Sequence, residues 1–129
     1  MDRSAFEAFL KSFYATRVAG EADKLGEMFA DDAKFQIAGS PEYSMLATKV
    51  QGRDGIVSLF RTISDSFGLE DFAFQDMLID GNKAAVRWTA RVQNITSGDS
   101  FATELADFIE IENGKIISLN EFLDTALAG

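Results

Sequence analysis

The sequence predicts an α+β domain in which helices come first and an antiparallel run of strands follows. Apolar residues recur at helical spacing in the first half of the chain and at alternate positions in the second half. The chain has 129 residues, 47% of them apolar, which suffices for one domain, residues 1–129, with its own core. A strongly twisted antiparallel sheet can wrap helices and leave a cavity on its concave face.

The first helix is predicted from about Ser4 to Ala19. Ser4 and Glu7 form an S-x-x-E capping box at its start, and Gly20 stands where a helix-ending glycine belongs. The spacing i, i+3, i+4, i+7 gives this helix one buried stripe. The stripe comprises Phe6, Phe9, Leu10, Phe13, Tyr14 and Arg17.

Two further helices are predicted. A short one runs from about Ala22 to Ala30 and ends at Asp31-Asp32, an acidic pair typical of a turn. A longer one runs from about Gly52 to Phe67 and ends at Gly68. Its buried stripe contains Ile56, Leu59, Phe60, Ile63 and Phe67.

Five strands are predicted, and short turns rich in Gly, Asp and Asn separate the last four. Between the first strand and the third helix, Gly39 to Gln51 is predicted to be irregular. This segment carries apolar side chains, so it acts either as a lid or as a plug of the core. The strands cover about Ala33–Ala38, Phe72–Ile79, Ala84–Gln93, Phe101–Ile111 and Lys115–Asp124.

The composition excludes several functions. With no His and no Cys, a Ser-His triad, a Cys nucleophile and an ordinary zinc site are impossible. The net charge of −9 disfavours binding of nucleic acid. No apolar run approaches the ~18 residues of a membrane span, and the N-terminus does not resemble a signal peptide, so a cytoplasmic protein is expected. No nucleotide, flavin or metal motif is present, so no cofactor or metal is expected.

Three segments carry a family resemblance: AGEADKLGEMFADDAKF (19–35), VQGRDGIVSLF (50–60) and ENGKIISLNEFLDTALA (112–128). They resemble the SnoaL-like branch of the nuclear transport factor 2-like superfamily, which includes ketosteroid isomerases, polyketide cyclases and limonene epoxide hydrolase. The resemblance implies three N-terminal helices packed in a strongly curved antiparallel sheet, forming a half-cone with an internal pocket. It is weak for activity, because fold does not determine function.

The resemblance carries over only partly at individual positions. The base of the ketosteroid isomerases falls at Ile37, which cannot accept a proton, so their standard activity is not expected. Their neutral strand Asp falls at Glu104, and the last-strand Asp of the cyclases falls at Glu121. The first-helix Tyr of the ketosteroid isomerases falls at Phe13 or Tyr14. The epoxide hydrolases carry an Arg two residues before a strand carboxylate, where this chain has Ala102 before Glu104.

The predicted catalytic residues are Glu104, Glu121 and Tyr14. Two carboxylates on adjacent strands of one concave face raise each other's pKa, which provides one general acid and one general base. Tyr14 and Tyr43 could donate hydrogen bonds to an oxyanion. The predicted pocket walls are Phe13, Phe35, Ile37, Tyr43, Phe60, Trp88, Phe108, Leu119 and Leu123.

One alternative concerns the orientation of the strand from Phe101 to Ile111. Its opposite face is more apolar, and if that face points inward then Glu104 lies on the surface and Asp107 is buried. If it points outward, Leu105, Ile109 and Ile111 need cover and predict a homodimer.

The predicted function is binding of a small apolar molecule in the cone. As an enzyme, the protein would be a cofactor-free isomerase, cyclase or hydrolase that uses the acid–base chemistry of carboxylates on that molecule. The alternative is a non-catalytic ligand-binding domain, or a dimerising structural domain whose cavity is filled with side chains.

Overall fold

The computed structural model describes residues 1–42 and 47–124. Within them, three helices pack on one face of a six-stranded, curved and unclosed sheet, so the predicted α+β class is confirmed. The helices are α1 (Arg3–Val18), α2 (Ala22–Gly26) and α3 (Arg53–Ser66). The strands are β1 (Phe29–Ile37), β2 (Thr48–Gln51), β3 (Phe67–Asp80), β4 (Lys83–Asn94), β5 (Ser100–Glu112) and β6 (Lys115–Phe122).

The strand order in the sheet is β2-β1-β6-β5-β4-β3. Strands β3 to β6 form the predicted antiparallel meander. The sheet is not wholly antiparallel, however, because β1 returns to pair with β6 in parallel. This pairing places the first strand beside the last one within the open sheet.

Helix α1 presents its predicted stripe to that concave face, where Phe6, Leu10, Phe13 and Tyr14 are buried. The predicted Ser4–Glu7 capping box is wrong, because α1 begins before Ser4. The cap is Asp2, whose Oδ1 accepts a 2.7 Å hydrogen bond from the Ala5 N–H group.

The second helix is shorter than predicted, and β1 starts earlier, at Phe29. Asp31 and Asp32 therefore lie in a strand and not in a turn. Arg53 stabilises this arrangement: its Nη1 pairs with Asp31 at 2.7 Å, and its Nη2 donates to the Phe29 carbonyl at 2.6 Å. This side chain of α3 thus joins α3 to the start of β1.

The segment 39–51, predicted as irregular, contains strand β2. Its four residues pair antiparallel with β1, from Lys34 opposite Gln51 to Ile37 opposite Thr48. Tyr43 lies outside the described residues, so its predicted role in the pocket has no structural counterpart here. After α3, the chain enters β3 directly at Phe67, so Gly68 is a strand residue and not a helix stop.

Candidate active site

A cavity of about 240 Å³ lies between the helices and the concave face of the sheet. It is bordered by the end of α1, the α1–α2 turn, α2, the C-terminal half of α3 and the ends of β1, β3, β4, β5 and β6. Most of its lining is apolar, including Leu25, Ile37, Phe60, Ile63, Trp88 and Leu105. The described side chains therefore do not fill the cone.

An ion pair between Arg17 and Glu121 forms the polar part of the cavity wall. The two residues meet in a bidentate geometry: Arg17 Nη2 donates to Glu121 Oε1 at 2.7 Å, and Nη1 donates to Oε2. Both side chains are almost fully buried, with 8% and 2% exposure. Two parallel charge-assisted hydrogen bonds fix the guanidinium and the carboxylate in one plane.

Aromatic rings surround the Arg17 guanidinium. Its central carbon lies 5.1 Å from the Trp88 ring centre and 5.4 Å from the Phe60 ring centre. Cation–π attraction is stronger for a desolvated cation, and the Arg17 side chain is only 8% exposed. The ring contacts and the carboxylate together compensate for burial of the cation.

A second carboxyl group, Asp107, lies behind this pair and is fully buried. Its Oδ2 accepts hydrogen bonds from the Tyr14 hydroxyl and, at 2.8 Å, from Trp88 Nε1. Arg17 Nη1 is 3.9 Å from the same oxygen. Asp107 and Glu121 are direct cross-strand partners on β5 and β6. Among the residues that the structure describes, the cluster therefore has two carboxyl groups and one buried cation.

Burial and charge shift the pKa values of these groups in opposite directions. Burial, together with the negative charge of Glu121, raises the pKa of Asp107 well above its usual range. Burial would also raise the pKa of Glu121, but the charge and hydrogen bonds of Arg17 outweigh it and lower that pKa. Burial and the nearby Asp107 raise the pKa of the Tyr14 hydroxyl. Glu121 therefore loses its proton at a lower pH than Asp107.

The prediction that Glu104 faces the cone is wrong. Glu104 lies on the outer face of the sheet, 67% exposed, and accepts a 2.7 Å hydrogen bond from Arg87. The face of β5 with Leu105 and Asp107 points inward instead, as the alternative interpretation described. The larger apolar set occupies the concave face, because burying it yields the greater hydrophobic gain.

The other two predicted catalytic residues lie inside. Glu121 lines the cavity. Tyr14 is buried on α1 beside Asp107 and does not itself line the cavity. Asp107 connects them: it accepts a hydrogen bond from Tyr14 of α1 and lies opposite Glu121 of β6. Asp107 was considered only in the alternative interpretation of the sequence.

The eight predicted wall residues within the described part of the chain divide into three groups. Ile37, Phe60, Trp88 and Leu123 line the cavity. Phe13, Phe35 and Leu119 are buried in the surrounding core. Phe108 is wrongly predicted as a wall: like Glu104, it lies on the outer face, and it is 52% exposed.

Sequence reasoning missed Arg17 as a site residue, although a signal for it was present. Arg17 occupies a position of the apolar stripe of α1, one turn after Phe13 and Tyr14. A cation at a buried stripe position requires a buried carboxylate partner. The carboxyl groups at inward positions of β5 and β6 are those partners.

The cluster contains both hydrogen-bond donors and a group that can exchange a proton. Across residues 1–42 and 47–124, no group of three or more acidic side chains is arranged to hold a metal ion. Arg17 can donate hydrogen bonds to a ligand oxygen, and Glu121 can accept a proton from a ligand.

No helix in this part of the chain has the length and hydropathy needed to cross a membrane.

Comparison with protein families gives a match over most of the chain. The family described as the SnoaL-like domain matches residues 10–119. No curated protein matches the chain in sequence.

Solved structures share the fold. An NTF2-like protein of unknown function from Burkholderia pseudomallei is 18% identical and superimposes with a TM-score of 0.80, covering 95% of this chain and 92% of that one. An NTF2-like protein from Burkholderia xenovorans is 21% identical, with a TM-score of 0.78 and coverage of 99% and 96%. An LEH-like epoxide hydrolase from Mycobacterium tuberculosis is 14% identical, with a TM-score of 0.73 and coverage of 91% and 80%. At these identities the likeness concerns the fold alone.

Proposed function

We propose, from the premise that the chain belongs to the SnoaL-like domain family, that its cone binds a small, mainly apolar molecule and moves a proton on it. The observation that carries this proposal is the buried Arg17–Glu121 pair in the wall of an otherwise apolar cavity. Apolar pockets with a few convergent polar groups are typical ligand sites. A perturbed carboxyl pair beside the cavity adds the means for acid–base chemistry.

The proposed step uses Glu121 as the base and Arg17 as the electrophilic partner. With a carbonyl ligand, Glu121 removes a proton from the carbon next to the carbonyl group. The C–H bond breaks, an O–H bond forms on Glu121, and the electron pair moves to the carbonyl oxygen. Arg17 donates hydrogen bonds to that oxygen as its negative charge develops. Return of the proton from Glu121 to another atom completes an isomerisation.

The position of Glu121 distinguishes this arrangement from that of the ketosteroid isomerases. Ile37 stands at the position of their base, and Glu121 is its direct neighbour on the adjacent parallel strand. The carboxylate is therefore displaced by one strand within the same cavity. The Arg–carboxylate pair also differs from the epoxide-hydrolase pattern, because its Arg comes from α1 and not from the strand of the carboxylate.

Binding without turnover is a second candidate, and one observation favours it. Arg17 holds the pKa of Glu121 below its usual range, and a lower pKa makes a carboxylate a weaker base. In that case, the pair recognises a ligand oxygen and no proton moves.

Hydrogen–deuterium exchange distinguishes the two candidates without knowledge of the natural substrate. Cyclohexanone, which suits the cavity volume, is incubated with the protein in D₂O, and deuterium at its α-carbon is measured by mass spectrometry. Catalysis predicts exchange faster than in buffer, with a loss of about 100-fold or more in Glu121→Gln, the usual scale of a general base. Binding shown by a thermal shift, with exchange at the buffer rate, would support the non-catalytic candidate.

Glu104→Gln is the matched control, because it makes the same chemical change on the outer face of the sheet. It should exchange cyclohexanone at the wild-type rate. Equal losses in both variants would contradict the assignment of Glu121. Failure of cyclohexanone, lactones and terpenoids to raise the unfolding temperature would contradict the pocket itself, since saturating ligand stabilises a protein by about 2.7 kcal/mol at 100 times its Kd.

A further inference from the structure

The hydrogen bonds around Asp107 are unequal at its two oxygens. Oδ2 accepts from the Tyr14 hydroxyl and from Trp88 Nε1. Oδ1 is buried and has no hydrogen-bonding donor within the described residues. Glu121 lies opposite Asp107 as its direct cross-strand partner. An ionised carboxylate only accepts hydrogen bonds, so two ionised groups cannot bond to each other.

A proton on Oδ1 turns a buried acceptor that has no donor into a donor. Oδ2 continues to accept from Tyr14 and Trp88. The proton also balances the charge, since the groups that face Asp107 from α1, β4 and β6 include one cation, Arg17, and one other carboxyl, Glu121. Two adjacent ionised carboxylates with one cation would leave a buried negative charge uncompensated, which is unfavourable in a buried site.

We infer that Asp107 carries a proton at neutral pH, and that the resulting uncharged polar wall makes the cavity select an uncharged ligand with an acceptor oxygen. The inference about the ligand rests on the proposed function, whereas the inference about the proton does not. Asp107 acts through Glu121 and is a positioning residue, because it does not line the cavity.

The balance of buried charges also determines which ligand charge the cavity accepts. An anion would place a further negative charge beside Glu121, and a cation would be stabilised only after Asp107 lost its proton. Glu21, the other charged residue of the lining, lies at the exposed mouth and pairs with Lys24 at 3.5 Å, so it does not alter the buried balance. The cavity of 240 Å³ equals the liquid volume of about eight waters, which suits a single ring with one polar group.

The proton is tested on the free protein with Asp107→Asn. The Asn amide reproduces a protonated Asp107, because its oxygen can accept from Tyr14 and Trp88 while its NH₂ group provides a donor at the position of Oδ1. A raised pKa means that native Asp107 keeps a proton which the unfolded chain loses above about pH 4. The urea midpoint of the wild type should therefore fall relative to that of Asp107→Asn as the pH rises from 4 to 7.

A wild-type midpoint that rises relative to Asp107→Asn over this range would show that Asp107 is ionised and would overturn the inference. If Asp107→Asn does not fold, the ¹³C shift of the wild-type Asp107 carboxyl gives the answer directly. A carboxylic-acid shift at pH 7 supports the proton, and a carboxylate shift overturns it.

Ligand selection is tested with three probes of one shape: cyclohexanecarboxamide, cyclohexanecarboxylate and cyclohexylmethylammonium. At pH 7 the carboxamide should bind at least tenfold more tightly than either ion, by calorimetric titration. Repeating the titrations at 0.5 M salt screens the net charge of −9 on the chain, so the preference should persist there.

Each outcome of the probe titrations has a defined meaning. Binding of either ion as tight as that of the carboxamide overturns the selection, while the pocket stands. Binding of none of the three contradicts the proposed function and the selection together, and the proton on Asp107 is still decided by the urea and ¹³C measurements.

Discussion

At the scale of single residues, Arg17 determines what the cavity can bind. It is the one buried cation facing two carboxyl groups, and two aromatic rings enclose its guanidinium. Buried ion pairs add little net stability, yet removing one partner leaves an uncompensated charge. Arg17 is therefore better explained as part of a site than as a source of stability.

This argument predicts a non-additive double variant. Arg17→Met leaves Glu121 buried without its cation and should lower the free energy of unfolding by about 3–5 kcal/mol, measured by urea denaturation. Adding Glu121→Leu to Arg17→Met removes the orphaned charge and should restore most of that loss. Ligand binding should not return. A double variant as unstable as the sum of the single variants would contradict the ion-pair account.

At the scale of elements, β5 shows what the sequence could and could not predict. Alternation predicted the strand and nearly its limits, but both of its faces carry apolar residues. Which face of β5 points inward depends on its register with β4. Trp88 of β4 lies opposite Leu105, so the buried apolar face of β4 is on the same side of the sheet as Leu105 and Asp107. A shift of one residue in the connecting turn would place Glu104 inward instead, and local pattern does not fix that turn.

Long-range pairing set the other limits of prediction. Strand β2 is four residues long and carries a weak periodic signal, and it exists because β1 offers it a free edge. Helix α2 ends early because the residues that follow it enter β1, where Phe29 pairs with Ile116 of β6. Glu121, by contrast, was predictable, because its strand, the apolar residues beside it and the family resemblance all indicated the same inward face.

The packing of α2 on α3 gives a prediction at this scale. A Cβ atom at Gly26 would lie 2.2 Å from Cγ2 of Val57, so the close approach of the two helices requires glycine. Gly26→Ala should cost about 1–3 kcal/mol through overpacking, which a thermal melt detects. Val57→Ala in the same chain should recover part of the loss.

Gly55→Ala in α3 is the control for helix propensity. Its Cβ would meet Val50 at an ordinary 3.8 Å, so alanine should stabilise the protein by about 0.5–1 kcal/mol. If Gly26→Ala stabilised the protein to the same extent, the contact with Val57 would not be limiting.

At the scale of the whole molecule, the helices of residues 1–42 and 47–124 leave the outer face of the sheet uncovered. Leu105, Ile109 and Ile111, expected to need cover if they pointed outward, are buried inside. The exposed large apolar groups on this face are instead Leu78, at 67%, Phe108, at 52%, and Phe122, at 47%. The ring centres of Phe108 and Phe122 are 5.7 Å apart.

A charged row lies next to these rings on the same face. Arg87 donates 2.7 Å hydrogen bonds to both Asp76 and Glu104. A patch with apolar rings beside a row containing both signs of charge can match a second copy of itself across a two-fold axis, where the cation of one copy meets the acids of the other.

We therefore expect a homodimer through this outer face. Sedimentation at micromolar concentration should give a species of twice the 14.1 kDa chain mass. Phe108→Lys should shift it to the monomer by placing a charge in the apolar part of the interface. Ile95→Lys is the control, because Ile95 is 54% exposed in the β4–β5 turn, away from the patch, and that variant should remain dimeric.

A wild type that sediments only as a 14.1 kDa species would refute the dimer, whereas dissociation of both variants would place the interface elsewhere. Since the cavity opens on the opposite face of the sheet, Phe108→Lys should leave binding of cyclohexanone unchanged.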